Sequence, residues 1–344
     1  NRYTSLSYYF ITIGGNGKRI QSAPLISNPA QTVTSFNERL FYELDSINLL
    51  AGGKEWYGEE FANAPGKTLT RSFPVSIPNY LPGAALTLRT NCIARSVGAP
   101  SRFDIRFDNQ PLGQLQVNPV SGGQYDPYVQ SASFTAATIN NSANPVLGYS
   151  FTPGSFNAQG WLNWYEVFTR RTLSMNGVNQ LLFRDWSSIN NSTAGFVISQ
   201  ATNSLQVWDV TEMTNARVMP GQLTGTDYRF ANTTERLKEY VAFSSTGFLQ
   251  PQTIGGVSNQ DLHAAGPADL LIITHKNWIS EAQRLAAFHQ QQQALRSVIA
   301  TTEQVYNEFA GGSPDPVAIR DFVRMYYDKY GTSVNDKPRY LLLF

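Results

Sequence analysis

The chain has 344 residues, 42% of them apolar, which is enough for about two domains with sizeable cores. Its 26 basic and 25 acidic residues leave a net charge of +1, so no global field favours nucleic acid or an anionic membrane. The single cysteine, Cys92, excludes an intrachain disulfide, and no apolar run of about 18 residues marks a membrane span. Charged residues make up only 15%, with Asn, Gln, Ser, Thr and aromatics in their place, a mix common in exported β-rich proteins. A reducing cytoplasm and an exported bacterial protein both fit. The sequence opens on Asn1, and any export signal or anchor would lie outside it.

Up to about residue 262 the pattern has mostly period two. Tyr8 to Ile13 reads as a strand that enters a hairpin-like turn at Gly14 to Lys18. Further strands are expected at 68–77, 85–94, 101–107, 113–117, 131–138, 147–151, 164–171, 180–185, 195–199, 205–210 and 240–244. Turn clusters such as Pro82-Gly83, Asp108-Asn109 and Asn190-Asn191-Ser192 separate them. Phe103, Ile105 and Phe107 share one strand face, and Arg102, Asp104 and Arg106 the other, the mark of a half-buried antiparallel strand. Many short strands with such turns predict an antiparallel sandwich.

From about Gly266 the period changes. Asp269 to His275 is a continuous apolar run, as for a parallel strand covered on both faces. Ser280, with Gln283 three residues on, predicts a capped helix whose inner face carries Ile279, Ala282, Leu285, Ala286 and His289. Leu295 to Ala300 reads as a second strand and Thr301 to Phe309 as a short helix ended by Gly311-Gly312. Asp315 caps a further helix with Pro316 in its first turn, and Gly331 stops it. Arg339 to Phe344 is the third strand of a β-α-β-α-β unit with right-handed crossovers. Sites in such sheets lie beyond the carboxyl ends of the strands, so this last run leads us to expect a piece of a longer enzyme. With strand order 2-1-3, the last strand would be an exposed edge that invites pairing or frays.

Several segments of the last 77 residues together resemble the start of the gingipain-like cysteine peptidase domain. They are Asp269 to His275, Glu281 to Phe288, Thr301 to Phe309, Pro314 to Phe322 and Pro338 to Phe344. Thr34 to Arg39, Gly53 to Glu59, Arg95 to Gly98, Trp208 to Thr211 and Asn259 to His263 extend the resemblance over nearly the whole chain. It is strongest to the surface-sortase branch that serves the type IX secretion system of Bacteroidetes. The resemblance implies a multidomain β plus α/β protein. An antiparallel sandwich region (1–262) would precede the truncated first half of a caspase- or gingipain-like parallel α/β domain (263–344). It implies a cysteine endopeptidase and transpeptidase at the cell surface or outer membrane. Its partners would be secreted cargo with C-terminal secretion domains, other type IX components and anionic lipopolysaccharide as acceptor, with no cofactor and no nucleic acid. The family's catalytic His and Cys follow the last strand present here, so the resemblance places both beyond Phe344 and leaves this chain inactive alone.

The residues themselves offer few other sites. Cys92 lies in a strand with no His nearby in sequence and reads as a buried core residue. His275 and its neighbour Lys276 stand at the carboxyl end of the first parallel strand, where they would line a substrate cleft; a structural loop or capping His is the alternative. His263 reads as an interdomain hydrogen-bond donor and His289 as a helix-face residue, and three scattered His with one Cys give no metal-site spacing. Glu55, Glu59 and Glu60 flank Trp56 and Tyr57 as a solvated turn rather than a glycosidase acid pair, and Asp104, Asp108 and Asn109 read as a hairpin turn rather than a calcium loop. The aromatic, Asn-rich β region leaves one alternative function open, a surface binding module for a glycan or protein partner.

Overall fold

The computed structural model describes residues 4–52, 55–245 and 247–344. The chain divides into two compact units, one of residues 18–250 and one of residues 251–344 together with 4–17. The segment 251–262, placed with the β region on sequence, thus packs with the α/β unit.

The β unit contains, in chain order, β1 (Gln21–Ser22), β2 (Gln31–Val33), β3 (Ser35–Glu43), β4 (Glu60–Ala62), β5 (Thr70–Pro74) and β6 (Ala85–Arg95). Next come β7 (Ser101–Phe107), β8 (Gln110–Val117), β9 (Gln130–Ile139), β10 (Val146–Thr152), β11 (Gln159–Thr172) and β12 (Gln180–Phe183). The last six are β13 (Thr193–Ile198), β14 (Gln206–Asp209), β15 (Arg217–Val218), β16 (Gly221–Thr224), β17 (Asp227–Thr233) and β18 (Tyr240–Phe243). They build two sandwiches where the sequence suggested one.

In the first sandwich, sheet β5-β10-β7-β8 faces sheet β3-β11-β6-β9, with β4 added along β11. Phe103, Ile105, Phe107, Tyr149 and Phe151 from one layer meet Leu86, Leu88, Cys92, Leu162 and Val167 from the other. Arg102 and Arg106 point outward, as the alternation on β7 requires. The β7–β8 hairpin turns on Asp108 and Asn109, both at positive φ (48° and 64°), the backbone of a type I′ turn. In the second sandwich, sheet β16-β17-β13-β2 faces sheet β1-β15-β14-β18-β12 around Phe183, Phe196, Phe230 and Tyr240. Phe196 and Phe230 stack with centroids 5.0 Å apart, an arrangement worth about 0.5–1.5 kcal/mol beyond its buried area. The strand pairings β1 with β15 and β2 with β13 are parallel, so the region is not purely antiparallel.

Tyr8 to Ile13 forms no strand. The apolar alternation is there, but no neighbouring strand answers it. After the Gly14-Gly15 bend, the chain pairs in parallel with Arg217–Val218 instead of folding back on itself.

The second unit is built on a three-stranded parallel sheet of β19 (Leu270–Thr274), β20 (Ser297–Thr301) and β21 (Tyr340–Leu343), in the order β20-β19-β21. Helix α1 (Ile279–Gln293) connects the first two strands, and α2 (Thr302–Phe309) and α3 (Pro316–Tyr330) connect the second to the third. Leu270 and Ile272 pack with Ala282 of α1, while Leu271 and Ile273 pack with Val305, Phe322 and Tyr326 of α2 and α3. Every residue of β19 is buried, which is why its sequence is continuously apolar. Thr301 and Gln304 form a reciprocal capping box on α2, and the Asp315 carboxylate caps α3 ahead of Pro316. The expected Ser280 cap is absent: Ser280 lies inside α1 and donates to Glu281, because a 3₁₀ turn at Lys276–Trp278 begins the helical run earlier. No helix among the described residues is long and apolar enough to cross a membrane.

Candidate functional site

The order β20-β19-β21 makes the central strand a topological switch point. The chain leaves β19 for one neighbour, then crosses to the other side, and crevices of this kind open at the carboxyl ends of the strands. His275 stands on that rim, directly after β19. Its Nδ1 accepts the Asn277 backbone N–H at 3.3 Å, so the proton of the neutral ring sits on Nε2. The Trp278 ring stands edge-on to His275 (centroids 5.8 Å apart) and to Phe344 (6.4 Å), which follows β21. The Phe344 N–H donates to the Ile273 carbonyl at 2.8 Å and holds that ring beside β19. Lys276 reaches across to Glu303 in the first turn of α2, with Nζ 3.0 Å from the carboxylate. The rim thus joins a histidine ring, a cation paired with an acid, and two aromatic rings that would form an apolar wall. Sequence reasoning singled out His275 and Lys276 but missed Trp278 and Phe344; an aromatic residue just past each strand was the available signal.

The opposite end of the sheet is fastened by Asp269, buried just before β19. Its Oδ2 accepts from the backbone N–H and Nε of Arg296 (2.9 and 3.0 Å), and its Oδ1 accepts from Nη2 of Arg339 (2.9 Å). Arg296 directly precedes β20 and Arg339 directly precedes β21, so one carboxylate aligns three strand entrances. Hydrogen bonding from Arg296 outweighs burial and holds Asp269 well below the usual carboxylate range.

A second polar hub is Glu308 of α2. It accepts from the Leu262 backbone N–H (2.7 Å), Gln260 Nε2 (2.8 Å) and the His263 ring (2.6 Å). Burial pushes its carboxyl up, but these bonds together hold it below its ordinary value. Both partners of the His263–Glu308 pair belong to the α/β unit, so His263 is not the interdomain donor expected. Asp261, His263 and Glu308 bring one ligand atom each within 4.8 Å of one another. With the Glu308 oxygens committed to three donors, the group works as a clasp on the segment that enters β19.

The other residues weighed on sequence are dispersed. Cys92 is fully buried in the first sandwich, and burial pushes its thiol far up, away from the reactive thiolate. Glu55 accepts from the Tyr57 hydroxyl, Glu59 from Tyr42, and Glu60 from Lys67 and Gln159. Asp104 bonds Arg102 and Gln114, and Asp108 accepts from the Val146 N–H. His289 bonds Gln293 along α1. Gly53 and Lys54, at the start of one resemblance segment, lie outside the described residues.

Residues 263–344 match the model of peptidase family C25, so the α/β unit carries the gingipain-family pattern that the sequence suggested. Over 94% of its length the chain has the fold of the dimeric latent PorU of Porphyromonas gingivalis, with a TM-score of 0.78 at 22% identity. The chain spans 31% of that protein's length. The C-terminal CBM6 of LamC from Zobellia galactanivorans overlaps 38% of this chain with 98% of its own (15% identity, TM-score 0.23). A family 35 carbohydrate-binding module from Clostridium thermocellum overlaps 39% with 98% of its own (12% identity, TM-score 0.23). Overlaps this loose assign no ligand. No curated protein sequence matches the chain.

Proposed function

We propose that the chain is the amino-terminal portion of a cysteine endopeptidase and transpeptidase, the surface sortase of a type IX secretion system. In this reading the enzyme removes the C-terminal secretion signal of exported cargo and joins the new carboxyl end to anionic lipopolysaccharide at the outer membrane. Cargo proteins and other components of the secretion system are its partners. The observation that carries the reading is the C25 match at residues 263–344 inside a chain with the PorU fold over 94% of its length.

The division of labour follows from chemistry. A nucleophilic cysteine needs a base within hydrogen-bond reach and access to substrate. Cys92 is sealed in an apolar core and bears neither role, so the reading places the catalytic Cys–His pair outside these 344 residues. His275 and Lys276 line the substrate cleft at the carboxyl rim, Trp278 and Phe344 offer an apolar wall to a peptide, and the β unit helps present cargo.

The test is made in the cells that produce the protein, by deleting the codons for residues 263–344 and reading the C-termini of surface proteins by mass spectrometry. Cargo that keeps its secretion signal and fails to attach to lipopolysaccharide is the expected result. Normal trimming and attachment would overturn the proposal.

A further inference from the structure

We propose that one end of the first sandwich carries a binding site for an acidic saccharide, a pyranose that bears a carboxylate, in a cleft lined by Arg95, Val97, Ser155, Phe156 and Asn157. The inference rests on the β unit alone and does not depend on the peptidase reading. The cleft has a volume of about 420 Å³, within the range of small-ligand sites.

The site is built rather than incidental. Phe156 and Asn157 occupy the tip of a turn closed by the Ala158 N–H on the Ser155 carbonyl (3.0 Å). The Gly154 N–H bonds the Ser101 hydroxyl (3.1 Å), and the Ser155 and Ser96 hydroxyls are 3.2 Å apart; Ser96 and Ser101 are both buried. Gly154 lies so close to the next loop that a Cβ there would stand 2.4 Å from the carbonyl oxygens of Ala99 and Pro100. Val97 is bridged to Val120, and the Val120 N–H bonds the Ser96 carbonyl (2.8 Å). On this braced frame Phe156 is nevertheless 89% exposed. A large ring carried into water on a braced turn gains nothing for the fold, and an exposed aromatic face is what a flat, partly apolar ligand needs.

The chemistry of the lining selects the ligand. Arg95, the last residue of β6, lies over the Tyr128 ring at 4.6 Å, so its guanidinium is held by a cation–π contact. Among the described residues it is the one charged group of the lining, and no carboxylate lines the cleft. Glu60, approached by Gln159 opposite Arg95 in the sheet, already pairs with Lys67. A planar guanidinium fork matches a carboxylate through two hydrogen bonds. The Phe156 ring packs the C–H face of a sugar, and the Asn157 amide and Ser155 hydroxyl answer its hydroxyl groups. A single cation suits one carboxylate, whereas a phosphodiester chain would call for a row of them.

Isothermal titration of the 344-residue chain with trigalacturonate tests this, with galactotriose as the neutral probe and a carrageenan oligosaccharide as the sulfated one. Arg95→Gln is at a half-buried position and Phe156→Ser at an exposed one, and an unchanged Tm confirms the folding of each variant. We expect trigalacturonate to bind, each variant to weaken it by about tenfold or more, as losing an anchor worth 1.4 kcal/mol does, and both other probes to bind far more weakly. No binding of trigalacturonate, equal binding of the neutral or sulfated probe, or full binding by either folded variant would overturn the proposal.

Discussion

Asp269 and Arg296 stand 27 residues apart, each immediately before a parallel strand, and are joined by bonds from both the backbone N–H and the side chain of Arg296 to one buried carboxylate oxygen. The link sets the register of β19 and β20 at their entrances. With Arg339 on the other oxygen, it leaves the carboxyl ends free to form the rim that carries His275 and Phe344.

Asp269→Asn should therefore loosen the whole α/β unit. Hydrogen bonds to a charged group contribute about 1.5–3 kcal/mol net, so we expect a loss in that range in urea unfolding at neutral pH. The pH dependence has a definite sign. The folded pKa lies below the ordinary 3.8, so the carboxylate's contribution is complete above that value and fades as the pH falls below it. Between pH 5 and pH 2 the variant should lose less stability than the parent chain; equal slopes would show that Asp269 is not the acid-labile group.

Tyr326→Phe is expected to leave stability unchanged or to raise it. The Tyr326 ring is fully buried against Phe322, burial pushes its hydroxyl up to about 12, and that hydroxyl has no hydrogen-bond partner among the described residues. Removing a buried, unpaired polar atom relieves a desolvation cost of about 1–3 kcal/mol. A drop in Tm would mean that the hydroxyl is bonded in solution.

Cys92 should resist alkylation in the native chain and react fully in denaturant, because its thiol is buried and held protonated. Iodoacetamide labelling followed by intact mass decides this. Rapid native labelling would place the thiol in an accessible site.

Glu308→Ala should release the segment that leads into β19. The Leu262 amide loses its acceptor, and hydrogen exchange there should accelerate by about tenfold or more, as the loss of a net bond of 1–2 kcal/mol implies. Protection equal to that of the parent chain would remove the clasp role.

β21 pairs only with β19 among the described residues, and its Leu341 and Leu343 and the following Phe344 are exposed. Such an edge promotes pairing with another chain. We expect concentration-dependent self-association in analytical ultracentrifugation, weakened by Leu343→Lys; a monomer at all concentrations would contradict this.

What could be read in the sequence was local. Phe103, Ile105 and Phe107 revealed β7 because side chains alternate on a strand, and Thr301-Gln304 and Asp315-Pro316 revealed their helix starts because a cap bonds only two or three residues away. β3 escaped because charge interrupts both of its faces and finds partners far along the chain: Arg39 on the outer face pairs with Glu166, and Glu38 on the inner face with the buried Arg171. The division into two sandwiches depends on which faces meet, and that is settled only by pairings over long separations. Of the site, the position of His275 could be read from the end of an apolar run. The Asp269–Arg339 and His263–Glu308 contacts could not, since they join residues 70 and 45 positions apart.

The central claim is most directly tested on the protein isolated from its own cells. It would be incubated with a cargo protein that bears its C-terminal signal, with and without prior alkylation, and the cargo's mass and the alkylated cysteine would be determined. The account predicts one defined C-terminal cut, abolished when a cysteine other than Cys92 is alkylated. An uncut cargo, a cut insensitive to alkylation, or inactivation through Cys92 would contradict it.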